Sequence, residues 1–385
     1  MAPRSKRVKP PIPGPEFLRK LPNELITIII NACSSSDRAA LLRVSKHLNQ
    51  LAMKPLYNSI SITSHSVLPK LEQTLFQRPE VAAMIRMFTV YFQTMGSYPS
   101  ITMRPLRDII KRSRNIEQLH LHADVSVASR WLFEIALLSD PSANGFVLPK
   151  LSRLVIGISP TDVDVPSLEL CLSGLESLDH LTLQFTSPRI TLDLSRSTIK
   201  LSHVKATLPN LKSYHGPPLL LQSLSAGSKM LSSLTLDVMG LHEGEGAFEG
   251  ILKYLKVIGP TQGGGNSALS SLMVLCDRTE VAELVSRHIP NVVHLSFSHI
   301  LTPSTMHSHP LLQVDLDYLS HIPSLRKFSI GLCPHYSELR LPDAQLWDSS
   351  VLAESIGKTL PGVLEMTIHG SHYRKAPEGT IWTLV

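Results

Sequence analysis

Apolar residues recur along this chain in a short triplet, apolar-x-x-apolar-x-apolar. The copies are Ile85/Phe88/Val90, Ile116/Leu119/Leu121, Leu151/Leu154/Ile156, Leu178/Leu181/Leu183, Leu231/Leu234/Leu236, Leu269/Leu272/Val274, Val292/Leu295/Phe297, Leu325/Phe328/Ile330 and Val363/Met366/Ile368. A weaker copy sits at Leu211/Tyr214. The two residues spaced two apart point to one face of a short strand, and the first closes the turn before it. Pro149, Pro209, Pro290, Pro323 and Pro361 stand just ahead of several copies. Between copies lie helical patterns such as Leu106/Ile109/Ile110, Trp131/Leu132/Ile135/Leu138, Val281/Leu284/Val285 and Trp347/Val351/Leu352/Ile356. Strand and helix alternate at irregular intervals of roughly 20 to 38 residues, which predicts an α/β fold with a parallel sheet built from stacked units. A non-repeating α/β domain with a parallel sheet would produce the same local triplets.

Ahead of the triplets, Phe17 to Ile60 reads as a small helical module. Leu21 and Pro22 open a helix, with Pro at the first helical position and Glu24 in the dipole-favoured first turn. Leu25, Ile28 and Ile29 form one apolar stripe, while Ile26 and Ile30 make the opposite side apolar too. Such a helix needs a cover on both sides, one within the module and one from a partner or the following domain. The polar run Ser34 to Asp37 is a turn, and Asp37 is placed to N-cap a second helix carrying Ala40, Leu41, Val44, Leu48 and Leu51.

Leu21-Pro22-Asn23-Glu24-Leu25, then Asp37, Val44-Ser45-Lys46, Leu48, Leu51-Ala52 and Pro55-Leu56-Tyr57 together resemble an F-box. Leu48 stands where many members of that family have Trp, and Pro55 to Ile60 resembles the ending of many fungal F-box proteins. The resemblance implies docking on a Skp-type adaptor, and through it on a cullin complex. Leu21, Pro22, Leu25, Ile28, Leu41 and Leu48 would lie in that contact or in the helical frame that holds it. From about Val81 to Ile368 the triplets resemble an irregular leucine-rich repeat solenoid with a curved parallel sheet, an array often found behind F-boxes. The Asn that usually follows the strand is missing, so the turns are expected to be held differently. The resulting organisation is a disordered basic, Pro-rich tail over 1–16, an F-box over 17–61 and the solenoid over 62–385. The implied function is substrate recognition for a Skp/cullin/F-box ubiquitin ligase. The alternative is a protein-binding scaffold that does not lead to ubiquitination.

The net charge of +6 over 385 residues first suggests a polyanion as partner. Arg4, Lys6, Arg7 and Lys9 carry four of those charges, leaving a net +2 elsewhere, so the basic character belongs mostly to the tail. That tail reads as a linker, with a nuclear localisation signal as its sharper alternative. Nucleic acid is not an expected partner. No run of about eighteen apolar residues occurs, and no hydrophobic region follows the basic start, so the expectation is a cytoplasmic or nuclear protein without a membrane partner. The four cysteines are far apart and form neither a disulfide framework nor a metal clip.

Enzymatic motifs are weak. Gly263-Gly264-Gly265-Asn266 lacks the Gly-Lys-Ser/Thr ending of a phosphate loop, His242 to Gly246 lacks EF-hand spacing, and His307-Ser308-His309 has no helical His-x-x-x-His pair behind it. No Gly-x-Ser-x-Gly elbow is present. The chain is therefore read as a non-enzyme that needs no cofactor or metal. The candidate target-binding surface is the strip of outward strand positions, expected to form a concave face, with His120, His122, Arg153, His180 and Lys327 as the residues to test. The loops Leu241 to Gly250 and Gly259 to Ser267 are the competing contact.

Overall fold

The computed structural model describes residues 21–91, 103–122, 148–158, 165–185, 204, 206, 208–224, 231–237, 249–250, 252–253, 269–276, 281–299, 316–332, 349–368, 370–376 and 382–385. The tail, the Gly-rich loop, His307, His309, Cys333 and the Trp131 to Leu138 helical pattern lie outside these residues.

Among the described residues the N-terminal module holds three helices, α1 (Asn23–Ala32), α2 (Ser35–Leu41) and α3 (Lys46–Asn58). The sequence predicts a single helix, capped by Asp37, where α2 and α3 stand. Instead Ser34 caps α2, its extended backbone letting Oγ accept the Asp37 N–H at 3.2 Å and donate to Asp37 Oδ2 at 2.6 Å. Ser45 caps α3 in the same way, accepting from the Leu48 N–H at 3.2 Å. Serine competes for backbone donors in this fashion wherever a helix starts, which breaks the single helix into two. Pro22 is itself the residue before the first turn of α1, and its carbonyl accepts from Leu25 and Ile26 at 3.1 Å. Arg38 ties the three helices together. Its guanidinium donates to the carbonyls of Ile30 (2.9 Å) and Asn31 (2.6 Å) at the end of α1 and to Pro55 (3.2 Å) in α3. These carbonyls lie in the last turns of α1 and α3, where a cation is favoured, and that of Ile30 also accepts the Cys33 N–H at 3.2 Å.

Further helices among the described residues are α4 (Leu68–Gln77), the single turn α5 (Pro79–Ala82), α6 (Met103–Arg112), α7 (Val165–Ser173), α8 (Pro218–Leu224), α9 (Val281–His288) and α10 (Ser349–Thr359). The strands are β1 (Ser59–Ile62), β2 (Met87–Tyr91), β3 (Gln118–His122), β4 (Arg153–Ile158), β5 (His180–Phe185), β6 (Ser213–Gly216), β7 (Ser233–Asp237), β8 (Ser271–Cys276), β9 (His294–His299), β10 (Lys327–Leu332), β11 (Glu365–Ile368), β12 (Ser371–Lys375) and β13 (Trp382–Leu384). They form one open sheet in simple sequence order. β1 to β11 pair parallel, whereas β12 and β13 turn back antiparallel and close the C-terminal end. The chain is thus mixed α/β, with each strand hydrogen-bonded only to its neighbours in sequence.

Every triplet of the sequence pattern falls on a strand, and the weak copy at Tyr214 is a full member, β6. The register aligns two inward rows across the sheet, one running Phe88, Leu119, Leu154, Leu181, Tyr214, Leu234, Leu272, Leu295, Phe328, Met366. These rows share a continuous core with the buried side chains of α4, α6, α7, α8, α9 and α10. The sheet begins earlier than the predicted boundary at 62: Tyr57/Ile60/Ile62 is one more triplet, and β1 pairs with β2 from Ser59 onward. α3 therefore runs directly into the sheet, with Met53 and Tyr57 packed against the main core.

The prolines ahead of the strands have a common role. Leu148-Pro149-Lys150-Leu151, Leu208-Pro209-Asn210-Leu211, Ile289-Pro290-Asn291-Val292, Ile322-Pro323-Ser324-Leu325 and Leu360-Pro361-Gly362-Val363 are four-residue turns closed by backbone bonds of 3.1–3.4 Å. Proline occupies the second position, where its fixed φ suits the turn, and both flanking apolar residues are buried. The side-chain ladder missing after the strand is supplied here, before it. Asn115 donates to the Ala83 carbonyl (2.9 Å), Ser177 to Leu151 (3.1 Å), Asn210 to Glu176 (2.8 Å) and Ser324 to Val292 (2.9 Å), each reaching back to the turn ahead of the previous strand. Beside this ladder, the carbonyl just ahead of each of β2 to β10 accepts two backbone N–H groups from the next unit, as Glu117 does from Ser152 (2.9 Å) and Arg153 (3.0 Å).

Candidate functional site

Two surfaces carry side chains that the fold does not use for its own packing. The first is on the helical module. Ile26 and Ile30 pack with Leu48 and Ala52 in a small core of their own, supported by Leu21, Leu41, Leu42 and Leu51. The other side of α1 is open: Ile28 is 62% exposed against 1% for Ile30, and Leu25 and Ile29 are exposed with it. Pro22 and Val44 are exposed as well. Of the residues named from the sequence, Pro22, Leu25 and Ile28 lie on the surface. Leu48 is buried in the frame, and Leu21 and Leu41 are half-buried against it.

The second surface is the outward face of the sheet. One row across it runs Gln118, Arg153, His180, Ser213, Ser233, Ser271, His294, Lys327, Glu365, and the next runs His120, Val155, Thr182, His215, Thr235, Met273, Ser296, Ser329, Thr367. His120, His122, Arg153 and His180 are brought together on β3, β4 and β5, whose strands stand about 4.8 Å apart. The His122 ring meets Tyr91 edge-on at 5.5 Å and His120 at 6.4 Å. Lys327 is not part of this group. It lies five strands away and pairs with Glu365 at 2.6 Å, and Glu365 also holds Arg374 at 3.2 Å. Lys327 and then Arg374 hold the Glu365 carboxyl below its usual pKa.

Charge near the histidines is set by the same register. Just ahead of the strands, Glu117 pairs with Arg86 at 3.5 Å and Asp179 with Lys212 at 3.3 Å. Arg153, exposed between Gln118 and His180, forms no ion pair among the described residues. Burial, with His122 and Arg153 nearby, holds the His120 imidazole below its ordinary pKa, and burial does the same at His122. His180 is lowered by burial and by Arg153, against the opposing pull of Asp179. His294 is lowered by burial and Lys327. These rings are therefore neutral at neutral pH, and their titration lies below 6.5 rather than across the range between about pH 6 and 7.5 that unperturbed histidine suggests.

Among the described residues no group of three or more His, Cys, Asp or Glu side chains could hold a metal ion. No helix among them is long and apolar enough to cross a membrane. Cys171 is fully buried and its thiol is pushed up to about 12 by burial, which makes it an inert packing residue. The chain matches no family model and no curated protein.

Proposed function

We propose that this chain is the substrate-recognition subunit of a Skp/cullin/F-box ubiquitin ligase. In this reading residues 17–61 are an F-box that binds a Skp-type adaptor, and the array behind it is an irregular leucine-rich repeat solenoid that holds a target protein on the outward face of its sheet. The observation that carries the reading is the two-sided character of α1. Ile26 and Ile30 are consumed by the module's own core, while Leu25, Ile28 and Ile29 are left in solvent on the opposite side. Burial of each such side chain is worth about 1.5–3 kcal/mol, and interfaces concentrate their energy in a few anchors of this kind. The sequential sheet, in which each described strand is paired with its neighbours in sequence, supports the repeat reading.

The role requires no catalytic group on this chain. Holding a target close to a conjugating enzyme supplies the rate through proximity. A protein of this role works in the cytoplasm or nucleus and uses neither cofactor nor metal. The test is affinity purification of the full chain and of Leu25→Ala/Ile28→Ala, with detection of the Skp-type adaptor and of a cullin. Both are expected with the wild type and neither with the variant. Recovery of the adaptor without a cullin would point to the non-ubiquitinating scaffold, and recovery of neither would overturn the reading.

A further inference from the structure

The outward face of the sheet has a charge pattern that selects among targets. From β1 to β9 the two rows given above contain no acidic residue, and in the third outward row, which holds His122, the acid among the described residues is Asp237 on β7, three strands from Arg153. The acids nearest the histidine group, Glu117 and Asp179, sit one position ahead of their strands and are neutralised by Arg86 and Lys212. Glu365, at the far end of the face, lies between two cations. Beside the histidines, Arg153 is the guanidinium without an ion pair among the described residues, flanked in register by Gln118 and His180 and near His120. His120 Nε2 is enclosed without a hydrogen-bond partner among the described residues.

We propose that this face binds an extended, carboxylate-bearing segment of the target, with an Asp or Glu side chain seated on Arg153 between His120 and His180. A planar guanidinium receives a carboxylate through two parallel hydrogen bonds. Phosphate recognition, by contrast, draws on clusters of arginine, and here a single free one stands among neutral rings. An extended segment laid across strands about 4.8 Å apart meets several outward positions at once.

Binding couples to protonation. His120 faces His122 and Arg153, His180 faces Arg153, Asp179 and Lys212, and Tyr91 closes the side at β2. In the free protein, burial and the cations beside them keep both rings neutral. A carboxylate placed against Arg153 offsets that cation, favours imidazolium and so takes up protons as it binds. Affinity therefore rises as pH falls below about 6.5, where the rings of the free protein are still held neutral.

The inference rests on the reading of this face as the target surface, and not on the ligase assignment. It is tested with the full chain by fluorescence polarisation, using labelled, end-blocked peptides of about ten residues. Their Asp and Glu content is graded, with matched neutral, lysine-bearing and phosphoserine-bearing sets. Arg153→Gln removes the charge, and Thr182→Trp fills the neighbouring outward position without altering charge. Melting curves establish that both variants fold. The basic tail is present throughout and cancels in the comparison. The expected result is affinity that grows with Asp and Glu content, falls about tenfold in Arg153→Gln, is lost in Thr182→Trp and strengthens at lower pH. Peptides blocked by Thr182→Trp but indifferent to charge and to Arg153→Gln would overturn the acidic preference while leaving the face as a binding surface. Peptides unaffected by either variant would overturn the surface itself. Retention of the phosphoserine set alone, or no preference for acidic peptides in any arm, would contradict the proposal.

Discussion

Tyr214 fills the space that a side chain on Gly216 would need. A Cβ on the glycine would stand 2.8 Å from Tyr214 Oη and 3.2 Å from Leu183 Cβ, while the phenol donates to the Pro217 carbonyl at 2.7 Å. The fully buried ring at β6 replaces two inward aliphatic side chains with one aromatic and one glycine. Gly216→Ala should destabilise the protein by about 1–3 kcal/mol through overpacking. In a double-mutant cycle with Tyr214→Phe, which removes the closest atom, the two changes should be non-additive. Chemical denaturation of the four proteins measures this, and strict additivity would contradict the packing described.

Leu181 and its neighbour Thr182 differ in face and therefore in cost. Leu181 lies in the inward row between Leu154 and Tyr214, whereas Thr182 is half-buried on the outward face. Leu181→Ala should cost about 2–5 kcal/mol by opening a cavity, and Thr182→Ala about 0.5 or less. Thermal melting compares them, and equal effects would contradict the register.

The triplets made much of this register legible, because strand periodicity and burial act on the same residues. β1 escaped because Tyr57 to Ile62 also closes the helical module, and one short stretch serves both. β12 and β13 escaped because their ladder is set by pairing with β11 rather than by the triplet. The turn chemistry was visible as Pro-Asn and Pro-Ser ahead of the triplets, but reading it required knowing that those side chains reach the previous repeat. In the outward strip, the cluster on β3 to β5 was accessible from spacing, and Lys327 and Glu365 stand at equivalent positions of the consecutive strands β10 and β11, while the contact of Glu365 with Arg374 was not accessible, since it depends on the antiparallel return of β12.

The depressed histidines make stability depend on pH in a fixed direction. His120, His122, His180 and His294 bind protons more readily in the unfolded chain than in the folded one. Their contribution is fully present above about pH 6.5 and is lost as the pH falls below it. The melting temperature should therefore decline below about pH 6.5, and His120→Gln should flatten the decline. A melting temperature that rises on acidification through this range would contradict the burial of these rings.

Cysteine accessibility provides an independent check on the helix layer. Cys171 on α7 is enclosed in the main core, while Cys33 after α1 is partly exposed. A thiol reagent applied to the native protein should label Cys33 and leave Cys171 unmodified until denaturant is added, as peptide mapping would show. Labelling of Cys171 under native conditions at the rate of Cys33 would contradict its placement.

The most direct test of the central claim is calorimetric titration of the full chain with a purified Skp-type adaptor. The wild type should bind, and Leu25→Ala/Ile28→Ala should lose the interaction while keeping the wild-type melting temperature, because these side chains lie outside the module's own core. Absence of binding by the wild type, or undiminished affinity in the variant, would contradict the claim.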